Sequence, residues 1–121
     1  MAATPEKKVK SKVVVQLKEL GAYYFYPVTS GFGASGVPDI IACYKGKFFA
    51  FECKANGNKP TALQQLNIDR INGSGGIALV INEDNVNEVQ EILRTWNRTD
   101  QGTQTETVAV TVLGSETETL A

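Results

Sequence analysis

Asp39, Glu52 and Lys54 are the residues of this 121-residue chain whose types and spacing could do chemistry. Two short apolar runs, 39–44 and 47–53, flank Lys45-Gly46. Gly suits the positive φ that a two-residue hairpin turn demands, although Lys is a weaker choice than Asn before it. Tyr44 then faces Lys47, and counting outward sets Asp39 opposite Glu52. Side chains alternate along a strand, so Lys54 shares the face of Glu52 while the Cys53 thiol points the other way. Two carboxylates about 5 Å apart repel by about 3 kcal/mol at an effective dielectric of about 20. A favourable cross-strand pair contributes only about 0.2–1 kcal/mol, too little to offset this. A divalent cation between the acids reverses the sign, and hard oxygen ligands around open positions suit Mg²⁺ or Mn²⁺. Such an ion makes hydroxide from bound water and polarises a phosphoryl oxygen. Lys54 would set positive charge where a pentavalent phosphate gathers negative charge. The plain alternative is a salt bridge at the hairpin's end, in which Lys54 neutralises one acid.

Composition narrows the chemistry further. The chain contains no histidine, which excludes Ser-His-Asp and Cys-His triads, His-based nucleases and nearly all zinc sites. Its two cysteines cannot complete a structural zinc site. On the hairpin pairing Cys43 and Cys53 fall on opposite faces, which argues against a disulfide and fits a reducing, intracellular setting. No apolar run approaches the ~20 residues of a membrane helix, and no apolar segment follows the basic residues near the N-terminus, so export is not expected. The net charge of −1 conceals a division. Residues 1–82 hold ten Lys/Arg against five Asp/Glu, and residues 83–121 two against eight. The basic part contains the proposed site, as phosphate binding requires. Lys7, Lys8, Lys10, Lys12 and Lys18 taken alone read as the solvated side of one helix.

Pro38-Asp39, twelve residues, then Glu52-Cys53-Lys54 resembles the PD-(D/E)xK nuclease signature. With Gly36 before it and Thr61-Ala62-Leu63-Gln64 after it, the pattern over about residues 5–95 is similar to the VRR-NUC (virus-type replication-repair nuclease) branch of that superfamily. The resemblance implies an α/β, restriction-endonuclease-like αβββαβα core, a central mixed sheet flanked by helices. It implies a metal-dependent, structure-selective endodeoxyribonuclease that leaves 5′-phosphates. Asp39 and Glu52 would bind Mg²⁺ or Mn²⁺, the Cys53 backbone carbonyl would be a further ligand, and Lys54 and Gln64 would complete the catalytic set. An additional Glu on the first helix is implied, Glu6 being the choice and Glu19 the alternative. Stand-alone members resemble junction resolvases, so DNA (branched or four-way) and a homodimer are the expected partners. The apolar faces left after the helices are placed agree with a dimer. A flap or single-strand nuclease, a catalytically idle DNA-binding module and an interaction domain whose acids cap a hairpin are the alternatives.

The elements that must position these residues follow in order. Thr4-Pro5-Glu6 reads as a helix start, Val9, Val13, Leu17 and Leu20 recur at helical spacing, and Gly21 ends the helix. The β-branched run Val13-Val14-Val15 favours a strand by propensity, but the periodicity prevails. Residues 22–29 read as a strand that Pro27 pushes toward an edge. Residues 30–37 are a Gly-rich loop without the GK[ST] ending of a P-loop; it lets a DNA backbone approach Asp39, with Phe32 as a contact, or is a plain connection. The central hairpin is apolar on both faces and is expected to be covered on both. Thr61 and Gln64 form a capping box ahead of a helix whose buried stripe is Leu63, Leu66 and Ile71. Residues 77–81 form a parallel, buried strand, and Asp84 or Asn85 starts a last helix with Val86, Val89, Leu93 and Trp96 inward. A single domain over residues 1–97 is expected, with residues 98–121 a Thr/Glu-rich tail, mobile or supplying an edge strand through Val108, Val110 and Val112.

Overall fold

The structure is a computed structural model, and it describes residues 3–28 and 36–96. By contacts the chain divides into Met1–Gln90 and Glu91–Ala121. Phe32 and the tail 98–121 lie outside the described residues. The elements are α1 (Pro5–Leu20), β1 (Tyr23–Phe25), β2 (Ile40–Tyr44), β3 (Lys47–Cys53), α2 (Ala62–Gly73) and β4 (Ile77–Ile81), then a 3₁₀ turn Val86–Glu88 and helical residues 89–96, here α3. This is the α/β order αβββαβα. The sheet is mixed, in the order β1-β2-β3-β4: β1–β2 and β2–β3 are antiparallel, and β3–β4 parallel.

Local chemistry sets α1 as its sequence requires. Thr4 Oγ1 accepts the Lys7 N–H at 3.2 Å, Pro5 occupies the first turn, and Gly21 closes the helix at φ 77°. Val9, Val13, Val14 and Leu17 are buried, so the 3.6-residue period outweighs the strand propensity of the Val run. Leu20 is only half-buried. Strand β1 is three residues long and ends before Pro27, shorter than residues 22–29, because Pro27 has no N–H for a ladder. It is the edge strand that Pro27 implies.

The β2–β3 hairpin turns through Lys45 (φ 51°) and Gly46 (φ 82°), both left-handed as a primed turn requires. Its register pairs Tyr44 with Lys47 and Ile40 with Phe51. One face, with Ile40, Ala42, Phe49 and Phe51, is buried and lies toward α1. On the other face Ala50 and Ala78 pack with Ile68 of α2, and Ile41, Ile71 and Val80 adjoin them. That second face is covered only in part, contrary to expectation. Helix α2 lies over β3 and β4, which leaves Phe48 45% and Tyr23 71% exposed.

Helix α2 also departs from its expected stripe. Leu63 and Leu66 are about half-exposed, while Ile68 is its buried residue. The seam that meets the sheet runs through Ile68 and Ile71, three apart, and rotates the two leucines outward. Strand β4 is an edge strand whose outer side is capped by side chains. Asn72 Oδ1 accepts the Ala78 N–H at 2.8 Å, Asn72 Nδ2 donates to the Ala78 carbonyl at 3.3 Å, and Asn85 Nδ2 donates to the Val80 carbonyl at 3.0 Å. Asn85 is thereby spent on the strand and does not cap the following turn by its side chain. Gln16 joins α1 to that turn, donating to the Val86 carbonyl at 2.6 Å and accepting the Gln90 N–H at 3.2 Å. In α3 Leu93 is buried, but Trp96 is 45% exposed and not inward as expected. Among the described residues no helix is long and apolar enough to cross a membrane.

Candidate active site

The hairpin register continues one step past Ile40–Phe51 and sets Asp39 opposite Glu52, at the end where β2 begins and β3 finishes. Asp39 takes over the ladder with its side chain: the Cys53 N–H donates to Asp39 Oδ2 at 2.8 Å. The N–H and C=O of one strand residue point to the same neighbour, so the Cys53 carbonyl leaves β3 on the side of Asp39 as well. The Cys53 side chain lies on the opposite face, fully buried. Burial, and after it the Asp39 charge, pushes its thiol up to about 12. Cys43 is exposed and both cysteines are free, as their opposed faces require.

Glu52 is the anomaly of the fold. It is the buried charged residue among those described, with 1% of its surface exposed. Its Oε2 pairs with Lys54 Nζ at 3.5 Å, while its Oε1 is buried without a hydrogen-bond partner. Burial in the first place, then the charge of Asp39, raises its carboxyl from 4.5 to about 7, against the opposing pull of Lys54. A buried carboxylate oxygen without a donor costs free energy unless something outside the chain meets it.

Gly36, three residues before Asp39, is closely packed. Gly36 has φ 77°, and a Cβ there would lie 2.8 Å from the carbonyl carbon and oxygen of Leu63 and 3.0 Å from the Gln64 nitrogen. Gly36 therefore sits against the first turn of α2, whose start is fixed by a reciprocal capping box. Thr61 Oγ1 accepts the Gln64 N–H at 3.1 Å, and Gln64 Oε1 accepts the Thr61 N–H at 2.9 Å. Gln64 thus adjoins the segment bearing Asp39, with its amide oxygen spent on the cap.

Of the two glutamates on α1, Glu6 is the one whose charge reaches Glu52 and Cys53. Glu19 sits at the far end of the helix and accepts from Gln90 Nε2 at 2.7 Å. Sequence reading passed over Lys10 and Tyr26. Lys10 Nζ lies 5.8 Å from the centre of the Tyr26 ring, and its charge also acts on Cys53. Its i,i+4 spacing from Glu6 points instead to an ion pair within the helix, so no local signal marks its meeting with Tyr26.

The chain's donors fit a hard cation. Among the described residues no three His, Cys, Asp or Glu side chains gather to hold a metal. The oxygens that could hold an ion at this end of the hairpin are those of Asp39 and Glu52, with the main-chain carbonyl of Cys53 beside them. The partnerless Oε1 of Glu52 is the observation that this set fits. All-oxygen donors with positions left for water suit Mg²⁺ or Mn²⁺ over zinc.

A mixed four-stranded sheet between helices is an α/β arrangement, and here two acids and a lysine stand at the open end of its hairpin. Solved structures share the fold. A structure described as a VRR_NUC domain aligns with TM-score 0.62 at 20% identity, over 78% of this chain and 99% of its own. A second, described as a VRR_NUC domain protein, aligns with TM-score 0.55 at 14% identity, over 81% and 92%. A Holliday junction resolvase, Hjc of Archaeoglobus fulgidus, aligns with TM-score 0.49 at 20% identity over 63% of this chain and 66% of its own. No protein-family profile matches the sequence, and no curated protein is significantly similar. The chain has the fold of the VRR_NUC domain.

Proposed function

We propose that this protein is a Mg²⁺- or Mn²⁺-dependent, structure-selective endodeoxyribonuclease of the PD-(D/E)xK type, acting as a homodimer on branched DNA, the four-way junction above all. The observation that carries the reading is Glu52: a buried carboxylate opposite Asp39, with one oxygen unpartnered and the other 3.5 Å from Lys54. Burying that group costs the fold free energy that a bound cation would offset.

Asp39, Glu52 and the Cys53 carbonyl would hold the ion. When bound, it would supply an activated water and Lewis-acid polarisation of the phosphoryl oxygen. Asp39 keeps its carboxylate in place through the Cys53 N–H. Lys54 is 12% exposed at its side chain and held beside Glu52, so its ammonium is poised to orient the attacking water or to meet the negative charge that develops on phosphorus. Gln64, with its oxygen spent on the cap, has its amide N–H groups to offer water or phosphate. Glu6 is near enough to act on the site's charge balance. The domain spans residues 1–97 in this reading, and the protein works inside the cell.

The homodimer rests on surface chemistry. Tyr23, Phe25 and Phe48, with Leu63 and Leu66 of α2, leave apolar side chains 45–71% exposed on the sheet face that α2 covers only in part. Twofold pairing through such a face would present two sites to opposed strands. The test compares labelled four-way junction, flap and linear duplex with Mn²⁺ or chelator, beside Asp39→Ala. Paired nicks on the junction, ending in 5′-phosphates and lost with chelator and with Asp39→Ala, are expected. Preference for the flap would overturn the junction reading, and cleavage indifferent to chelator and to Asp39→Ala would overturn the nuclease.

A further inference from the structure

We propose that Lys10 is a substrate-phosphate contact of this site, and that the Tyr26 ring is the positioning residue that presents it. The inference rests on the nuclease reading and names a substrate-binding residue for it.

Lys10 and Tyr26 meet from separate elements. Phe25 pairs with Ile41, so Tyr26 follows level with Ile40, one residue from Asp39. Its ring falls on the α1 side of the sheet, since Tyr24 two residues earlier pairs with Ala42 of that face. There it lies edge-on to the Tyr24 ring, 6.1 Å between centres at 75°, which fixes its plane. Lys10 Nζ stands 5.8 Å from the centre of this ring. Among the described residues the Lys10 ammonium has no carboxylate partner within salt-bridge distance, although Glu6 lies one turn before it. A lysine that only solvates a helix commonly extends into water or pairs with an acid four residues away. Lys10, partly buried, makes no such pair and stands over the Tyr26 ring, at the end of the sheet that bears Asp39 and Glu52.

The placement is complementary to that of Lys54. Lys54 shares the Asp39–Glu52 face, toward α2, whereas Lys10 and Tyr26 occupy the α1 side of the same sheet end. A phosphodiester strand crossing that end, with its scissile phosphate at the carboxylates, would bring a neighbouring phosphate to Lys10. Half of the Tyr26 surface remains exposed, so the ring can hold the ammonium while one side stays open to the strand.

The experiment measures binding of the full chain to fluorescein-labelled four-way junction and to single-stranded DNA, in Ca²⁺, across a salt series. Lys10→Gln is expected to weaken binding about three- to tenfold at low salt and to lower the log–log salt slope by about one, the loss of one phosphate contact. Lys10→Arg should restore the slope. Tyr26→Phe should keep it, and Tyr26→Leu should reproduce Lys10→Gln in binding. With Mn²⁺, Lys10→Gln should raise KM and spare kcat. Lys18→Gln is the control, about 12 Å along the helix, and should change the slope less. Equal losses from Lys10→Gln and Lys18→Gln would reduce Lys10 to bulk charge and overturn the inference. An unchanged slope in Lys10→Gln, with Asp39-dependent cleavage intact, would overturn it and spare the nuclease. Absence of Mn²⁺-dependent cleavage by the unaltered protein would defeat the nuclease reading instead, a result the Lys10 binding series does not share.

Discussion

Glu52→Gln offers a measurement of what the buried acid costs. The group's pKa rises from 4.5 in the unfolded chain to about 7 in the fold, chiefly through burial and next through Asp39. At about 1.4 kcal/mol per pH unit, that difference amounts to about 3 kcal/mol against the folded state once Glu52 is ionised on both sides of the equilibrium. The sign follows from proton counting. Below pH 4.5 both states hold the proton and Glu52 contributes nothing; between 4.5 and about 7 the unfolded chain releases it first, so stability falls as pH rises; above about 7 the loss is complete. Gln at this position keeps the shape and removes the titration. In chelator, urea unfolding from pH 4.5 to pH 8 should therefore show the variant gaining on the unaltered protein by about 3 kcal/mol across the series, whatever their offset at acid pH. Millimolar Mn²⁺ at pH 8 should offset most of that gain, since an ion held by Glu52 at a hundred times its Kd adds about 2.7 kcal/mol to the unaltered protein. A stability difference that stays level with pH, or equal stabilisation of both proteins by Mn²⁺, would refute the reasoning.

Two further outcomes test the scaffold. Gly36→Ala should destabilise by about 1–3 kcal/mol in the same unfolding assay, because its Cβ meets the Leu63 carbonyl at 2.8 Å while φ is 77°; a neutral result would separate Gly36 from α2. A thiol reagent at pH 8 should modify one cysteine in the folded protein and two in denaturant, Cys43 being exposed and Cys53 both buried and pushed up to about 12. Two fast thiols in the folded state would place Cys53 outside the core.

The parts of this molecule that were readable in its sequence are those governed by neighbours in the chain. The Lys45-Gly46 turn fixes the hairpin register by counting, and with it the meeting of Asp39 and Glu52. Thr4, Gly21 and the Thr61–Gln64 box state their helix ends in side-chain chemistry. What escaped depends on where whole elements come to rest. Leu63, Leu66 and Ile71 satisfied a helical period as well as Ile68 did, and only the seat of α2 over β3 and β4 decides between them. Phe48 looked like core because nothing local says that a helix will cover half a sheet face. Trp96 turned out half-exposed for the same want of local information. Lys10 was one lysine among five on α1 until Tyr26, sixteen positions on, came beneath it.

The two asparagines along β4 bear on how this chain can behave at high concentration. By occupying the Ala78 amide and carbonyl and the Val80 carbonyl, Asn72 and Asn85 deny that flank to any strand of another molecule. Lateral stacking of sheets into fibres is thus closed off on one side by two side-chain amides. A ribbon of sheets needs both flanks of each copy, and here one of them is already occupied at Ala78 and Val80.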